Sequence, residues 1–169
     1  YALMCFDASR FDSRENEQGE PVLYHEQDDS RWDQELISKG TNFLNLSSQG
    51  KQISRFHLEA GIAYWHTQKQ DTREKWENIV DLYNHLLVLE YSPIAALNRT
   101  YALSKRDGEH VAIKEAEKLK LTDSPYYHSL LGYLYCGIDG QKALQHFEEA
   151  LTLSRSPGMQ AAVRKRMAS

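Results

Sequence analysis

The sequence has no apolar run near the roughly 18 to 20 residues that a membrane-spanning helix requires, so a helical anchor is excluded and a soluble chain is expected. It lacks a basic leader followed by an apolar stretch and a small-residue cleavage site, so nothing marks it for secretion. Cysteine is scarce. Cys5 and Cys136 form no C-x-x-C pair and lie in apolar surroundings, which excludes a disulfide framework and predicts reduced core thiols in a cytoplasmic protein. Positive charge is also short: 20 Lys and Arg against 24 Asp and Glu give a formal net charge of -4, the wrong sign for a domain that grips a phosphate backbone by itself.

The motifs of common enzyme classes are missing as well. There is no H-E-x-x-H, G-x-S-x-G, G-x-x-x-x-G-K or G-x-G-x-x-G. The histidines, His25, His57, His66, His85, His110, His128 and His146, are scattered without metal-ligand spacing. His57 and His66 bracket a helix that presents them on different faces, as hydrogen-bonded core or surface residues rather than ligands. Carboxylates cluster in "HEQDDSRWDQ" at Glu26, Asp28, Asp29 and Asp33, but no neighbour there would raise one pKa for acid work. No enzyme activity, cofactor or metal is therefore expected.

What is present is helical periodicity over 169 residues with 41% apolar content, enough for one compact domain or a short helical array. Residues 1–11 read as the end of a helix, already apolar at Ala2, Leu3, Met4 and Phe6 with no cap before them, which suggests a fragment of a longer chain. A polar loop over 12–29 follows, punctuated by Gly19 and Pro21, in which "PVLY" could be extended. A helix is expected from Ser30 as cap, with Asp33 favouring the positive dipole end and Trp32, Leu36, Ile37, Gly40, Phe43 and Leu44 as its buried stripe. The next, about 52–68, carries Ile53, Phe56, Ala60, Ala63 and Tyr64 on one face. A third begins at Asp71 or Thr72 and buries Trp76, Ile79, Val80, Tyr83, Leu86 and Leu87.

Ser92 and Pro93 open another helix, which "RDG" ends near Gly108. Shorter helices are expected over about 109–119 and from Ser124 and Pro125 to Gly137, then over "DGQKALQHFEEALTLS" and "SPGMQAAVRKRM". The sum is an all-α array of about nine helices in antiparallel hairpins, with no strand run. Residues 1–50 form N-terminal helices and an acidic loop, and 51–169 the hairpin array, within one helical domain over 1–169. In the C-terminal half the array is tetratricopeptide-like: Ala143, Phe147 and Ala150 sit where such a repeat puts small, aromatic and small residues. Leu131 occupies a position that the repeat gives to a small residue, with Gly132 one place off.

Charge is uneven. Acids dominate between Arg14 and Glu35, whereas Arg155, Arg164, Lys165 and Arg166 close the chain without an acid. The two could be a solvated loop and a frayed basic tail, or could face each other or partners. Tyr64, Trp65, His66, Tyr126, Tyr127 and His128 suit either half-buried helix faces or a protein-binding groove.

"LMCFDASRFDSR", Gly19, "VLYHEQDDSRWDQELISKG", "AGIAYWHTQ", "WENIVDLYNHLLVLEYSPIAALNRTYAL" and "ALQHFEEALTLS" together resemble, in order and spacing, the C-terminal extension of one group of extracytoplasmic-function sigma factors. The resemblance covers nearly the whole chain and implies a bacterial, cytoplasmic, helical, tetratricopeptide-like domain that regulates transcription initiation. On it, Gln27, Asp28, Ser30, Trp32 and Asp33 match one signature of the group, Ser92, Pro93, Leu97, Asn98 and Arg99 a later one, and Arg10 and Arg14 the arginines after the first helix. Asp29 stands where the group usually has Arg; a contact made by that Arg would be absent or rebuilt from Arg31. The implied partners are the protein's own N-terminal sigma domains, core RNA polymerase or a cognate regulator, with promoter DNA reached only through those upstream domains. A generic adaptor binding a peptide in a concave groove and an all-α enzyme with a deep polar pocket are the competing readings.

Overall fold

The computed structural model describes residues 1–17, 19, 22, 27–50 and 52–168. Nine α-helices and no β-strand occur among the described residues. The chain divides into two compact units, Tyr1–Tyr91 and Ser92–Ser169. Pro21, His25, Glu26 and most of the "PVLY" piece lie outside the described residues; Val22 is described, and its N–H donates to the Arg14 carbonyl at 2.7 Å.

In the first unit, α1 (Ala2–Ser9) runs into a 3₁₀ turn over Phe11–Ser13. A second 3₁₀ turn, Asp29–Arg31, leads to α2 (Gln34–Ser47), followed by α3 (Arg55–His66) and α4 (Arg73–Leu89). Helix α1 packs on α2 and α3, and α3 on α4. Phe6 is fully buried among Ala2, Ala60 and Ala63, with Leu3, Leu44 and Tyr64 at the margin. It needs Gly40: a Cβ there would lie 2.8 Å from Phe6 Cε1, so the glycine in mid-helix lets the ring lie against the α2 backbone. Helix α4 buries Trp76, Ile79, Val80, Tyr83 and Leu86 as its periodicity predicts, and Thr72 caps it by accepting from Lys75 N–H.

Several expectations are corrected. The cap of α2 is Asp33, whose Oδ1 accepts from Leu36 N–H at 3.0 Å, not Ser30; Trp32 is buried, but ahead of the helix rather than on its stripe. Two Asp-capped turns in succession, at Asp28 and Asp33, delay the helix by one turn. Gly40 is the buried position of α2, Leu36, Ile37 and Leu44 are half-buried, and Phe43 is exposed. Ile53 and Phe56 are 72% and 68% exposed, and the face of α3 that packs carries Leu58, Ala60, Ile62 and Ala63. Nor are the cysteines core thiols, since Cys5 is half-buried and Cys136 exposed.

The second unit comprises α5 (Pro93–Asp107), α6 (Glu109–Leu119), α7 (Pro125–Tyr135), α8 (Gly140–Leu153) and α9 (Pro157–Met167), each packed on the next, with α5 also on α7. Ser92, Ser124 and Ser156 cap α5, α7 and α9 through their side chains, and proline follows each, where its missing N–H costs nothing. These Ser-Pro starts fall at even spacing and set out successive helical hairpins. Ala143, Phe147 and Ala150 are all buried as expected. The small partner in α7 is Gly132: a Cβ on it would approach Phe147 Cδ1 to 2.6 Å, while Leu131 is itself buried. His128 and His146 join the same two helices. His128 Nε2 lies 2.8 Å from the Thr122 carbonyl and must donate to it, and its Nδ1 pairs with His146 Nδ1 at 3.0 Å, one ring donating to the other.

Candidate functional site

The residues of the first signature converge where α1 ends and α2 begins. Trp32 is buried with the Arg10 guanidinium 5.9 Å from its ring centroid and the Lys69 ammonium at 5.1 Å, an arrangement in which the ring quadrupole attracts both cations. Lys69, in the connection between α3 and α4, also donates to the Gln27 carbonyl. Gln27 is buried; its Oε1 lies 3.5 Å from the Ser13 hydroxyl, and its Nε2 donates to the Val22 carbonyl at 3.4 Å. Asp33 N–H donates to the Ser9 carbonyl at 2.8 Å, tying the start of α2 to the end of α1. Arg14 reaches Asp7 Oδ1 at 3.1 Å. Arg10, Gln27 and Trp32 therefore build this junction from within.

Asp28 and Ser30 are placed differently. Both are exposed, and Asp28 Oδ1 accepts from the Ser30 hydroxyl at 2.7 Å and its N–H at 3.0 Å, bonds that hold the Asp28 carboxyl below the usual range. Asp29, Asp33 and Glu35 are exposed beside them, with Arg31 exposed among them and Glu35 paired to Lys39 at 2.7 Å, so the junction presents a short, predominantly acidic edge to solvent. Lys69 is the member of this junction that sequence reasoning missed. It is distant in sequence from the residues it serves, and nothing local marks it.

Close by, His66 keeps part of its surface in solvent while its Nδ1 is buried. Burial foremost, then the charges of Arg10 and Lys75, push its pKa down to about 3, so the ring is neutral in the folded protein. Lys75 is wholly buried and donates to Asp71 Oδ1 at 3.2 Å. Elsewhere in this unit, Tyr1, Met4, Phe43, Leu46 and Phe56 line an apolar groove of about 630 Å³ between α1, α2 and α3.

The second signature lies in the second unit and divides along α5. Ser92 and Pro93 start the helix, Leu97 is buried, and Arg99 reaches Glu115 Oε2 on α6 at 3.7 Å. Asn98 is exposed and lines a groove of about 560 Å³ between α5 and α7, with Tyr101, Tyr126, Tyr133 and Arg166 among its other walls. The structure thus gathers Arg10, Arg14, Gln27, Asp28, Ser30, Trp32 and Asp33 in one unit and Asn98 and Arg99 in the other. No helix among the described residues is long and apolar enough to cross a membrane.

Residues 1–48 match a family described as "Family of unknown function (DUF6596)", a segment that contains the whole first signature and all of α2. An uncharacterized protein of Rhizobium meliloti (strain 1021) is 29% identical over 170 aligned positions, which cover 98% of this chain and 40% of that protein. The chain thus spans less than half the length of this relative. No solved structure matches the chain.

Proposed function

We propose that the chain is the C-terminal regulatory domain of a bacterial extracytoplasmic-function sigma factor, a cytoplasmic, non-enzymatic, tetratricopeptide-like module that acts in transcription initiation through protein contacts. The observation that carries this reading is the acidic edge of Asp28, Asp29, Asp33 and Glu35, held on a junction whose interior is built by Arg10, Gln27 and Trp32. An edge fixed by two capped turns presents its charges in one geometry, and such charge sets orientation and on-rate for a basic partner surface more than affinity. The partner in this reading is the upstream sigma region of the same protein, with core polymerase or a regulator as the other candidates. Docking would shift the balance between silent and polymerase-ready forms. The ordered resemblance and a relative more than twice as long as this chain support it.

The test titrates this chain with the separately purified upstream domains of the same protein, by calorimetry at low and moderate salt. Salt-sensitive binding that is weakened by Asp28→Ala with Asp33→Ala supports the reading. Absence of binding to both the upstream domains and core polymerase overturns it. Because Asp28 and Asp33 cap their turns, the double variant also loses about 1 kcal/mol per cap, so transcription by the full-length protein must fall further than its melting curve does.

A further inference from the structure

The groove between α5 and α7 is independent of the acidic junction, and its chemistry points to a ligand of its own. The described residues that line it include three tyrosines, Tyr101, Tyr126 and Tyr133, one cation, Arg166, and no acid. Tyr101 and Tyr133 lie with ring centroids 5.6 Å apart at 44°. Arg166 is held in the wall from α9: its Cζ lies 5.4 Å from the Tyr133 ring centroid and its Nη1 donates to the Ser129 hydroxyl at 3.4 Å. Lys105 stands at the rim, its ammonium 5.8 Å from the Tyr101 ring. Tyr126 is 53% exposed and Asn98 is exposed, so an aromatic surface and an amide that pairs with peptide groups face solvent together.

We propose that this groove binds an extended peptide segment of a partner protein, seating an aromatic or branched side chain among Tyr101, Tyr126 and Tyr133 and a neighbouring carboxylate on Arg166. Charge complementarity selects the occupant. Its described residues supply donors and a guanidinium but no carboxylate, so an acidic segment can add a charge-assisted bond to those Arg166 already makes, and a basic one cannot. Tyrosine and arginine are also the residue types that dominate binding energy at protein interfaces. Nucleic acid is disfavoured, because a single cation in the wall cannot replace the several phosphate contacts that such binding needs.

The experiment pans a displayed library of random linear peptides on the full chain, then measures recovered peptides by fluorescence anisotropy against the wild type, Arg166→Gln and Tyr126→Ser. Recovered peptides are expected to carry Asp or Glu beside an aromatic or branched residue. Arg166→Gln should weaken them about tenfold or more, and changing the peptide's acid to its amide should cost the same in the wild type but little more in Arg166→Gln. Tyr126→Ser, at an exposed site, should weaken binding without moving the melting temperature. Failure to recover peptides, recovery without acids, equal binding to Arg166→Gln, or Arg166-dependent binding of an oligonucleotide instead would each overturn the proposal.

Discussion

His66 should make the first unit sensitive to mild acid. Its folded pKa of about 3 lies below the ordinary histidine value of 6.5, because burial and the nearby Arg10 and Lys75 disfavour the imidazolium. The unfolded chain therefore binds a proton that the folded one does not. The stability contributed by neutral His66 is complete above pH 6.5 and is lost as pH falls toward 3, at up to about 1.4 kcal/mol per pH unit. Between pH 7.5 and 5 the loss amounts to about 2 kcal/mol, and this figure hardly changes for any folded pKa below about 4. All three tryptophans, Trp32, Trp65 and Trp76, belong to the Tyr1–Tyr91 unit, so urea unfolding followed by tryptophan fluorescence reads that unit alone. The assay compares wild type with His66→Gln at both pH values. The variant will be less stable at pH 7.5 but should lose about 2 kcal/mol less on acidification. Equal losses in the two proteins would refute the assignment.

Other outcomes follow from packing and titration. Gly132→Ala should destabilise the second unit by about 1 to 3 kcal/mol, because its Cβ meets Phe147 at 2.6 Å, while Gly137→Ala, with open space around it, should change little; thermal melts by far-UV circular dichroism compare them. Trp32→Ala should cost the first unit about 3 to 5 kcal/mol in urea unfolding, far more than an exposed signature residue would. In an NMR titration His146 should show a midpoint below 6.5, since burial and then the charge on His128 oppose its protonation. The second unit should then lose stability as pH falls below 6.5, and a midpoint at or above 6.5 would contradict the burial that opposes protonation of this ring.

Helix starts were legible because their cause is local. Ser92, Ser124 and Ser156 each bond an N–H three residues on, and the following proline fixes the first helical residue. Helix α4 was legible for a related reason, as one continuous stripe has a single way to be buried. The faces of α2 and α3 were not. Apolar residues at helical spacing show that a face exists, but only tertiary packing decides that Ala60 and Ala63 meet Phe6 while Phe56 stays in solvent. Trp32 is buried as its spacing suggests, but ahead of α2 rather than on it, because two capping aspartates in one stretch make two competing starts. The alternating small and large partners of α7 and α8 were visible in composition, yet Gly132 rather than the residue before it receives Phe147. Of the candidate sites, the acidic edge could be read in the sequence; the α5–α7 groove could not, since Arg166 comes to it from a third helix.

The first signature mixes two kinds of residue, and the mixture limits what its presence can mean. Gln27 and Trp32 are buried and would be retained by any chain that closes α1 onto α2 in this way, whatever it binds. Only its exposed members can carry information about a partner. Asp29 separates the two roles most cleanly, being exposed on a 3₁₀ turn capped by its neighbour Asp28. Asp29→Arg, which introduces the residue usual in the sigma-factor group that the sequence resembles, should therefore leave unfolding within about 0.5 kcal/mol of the wild type. In the calorimetric titration with the proposed upstream domains, the same change should alter both affinity and its salt dependence, because it reverses one charge of the acidic edge. If unfolding and docking both stay unchanged, the edge is a solvated surface, and the signature's role lies in holding α1 to α2.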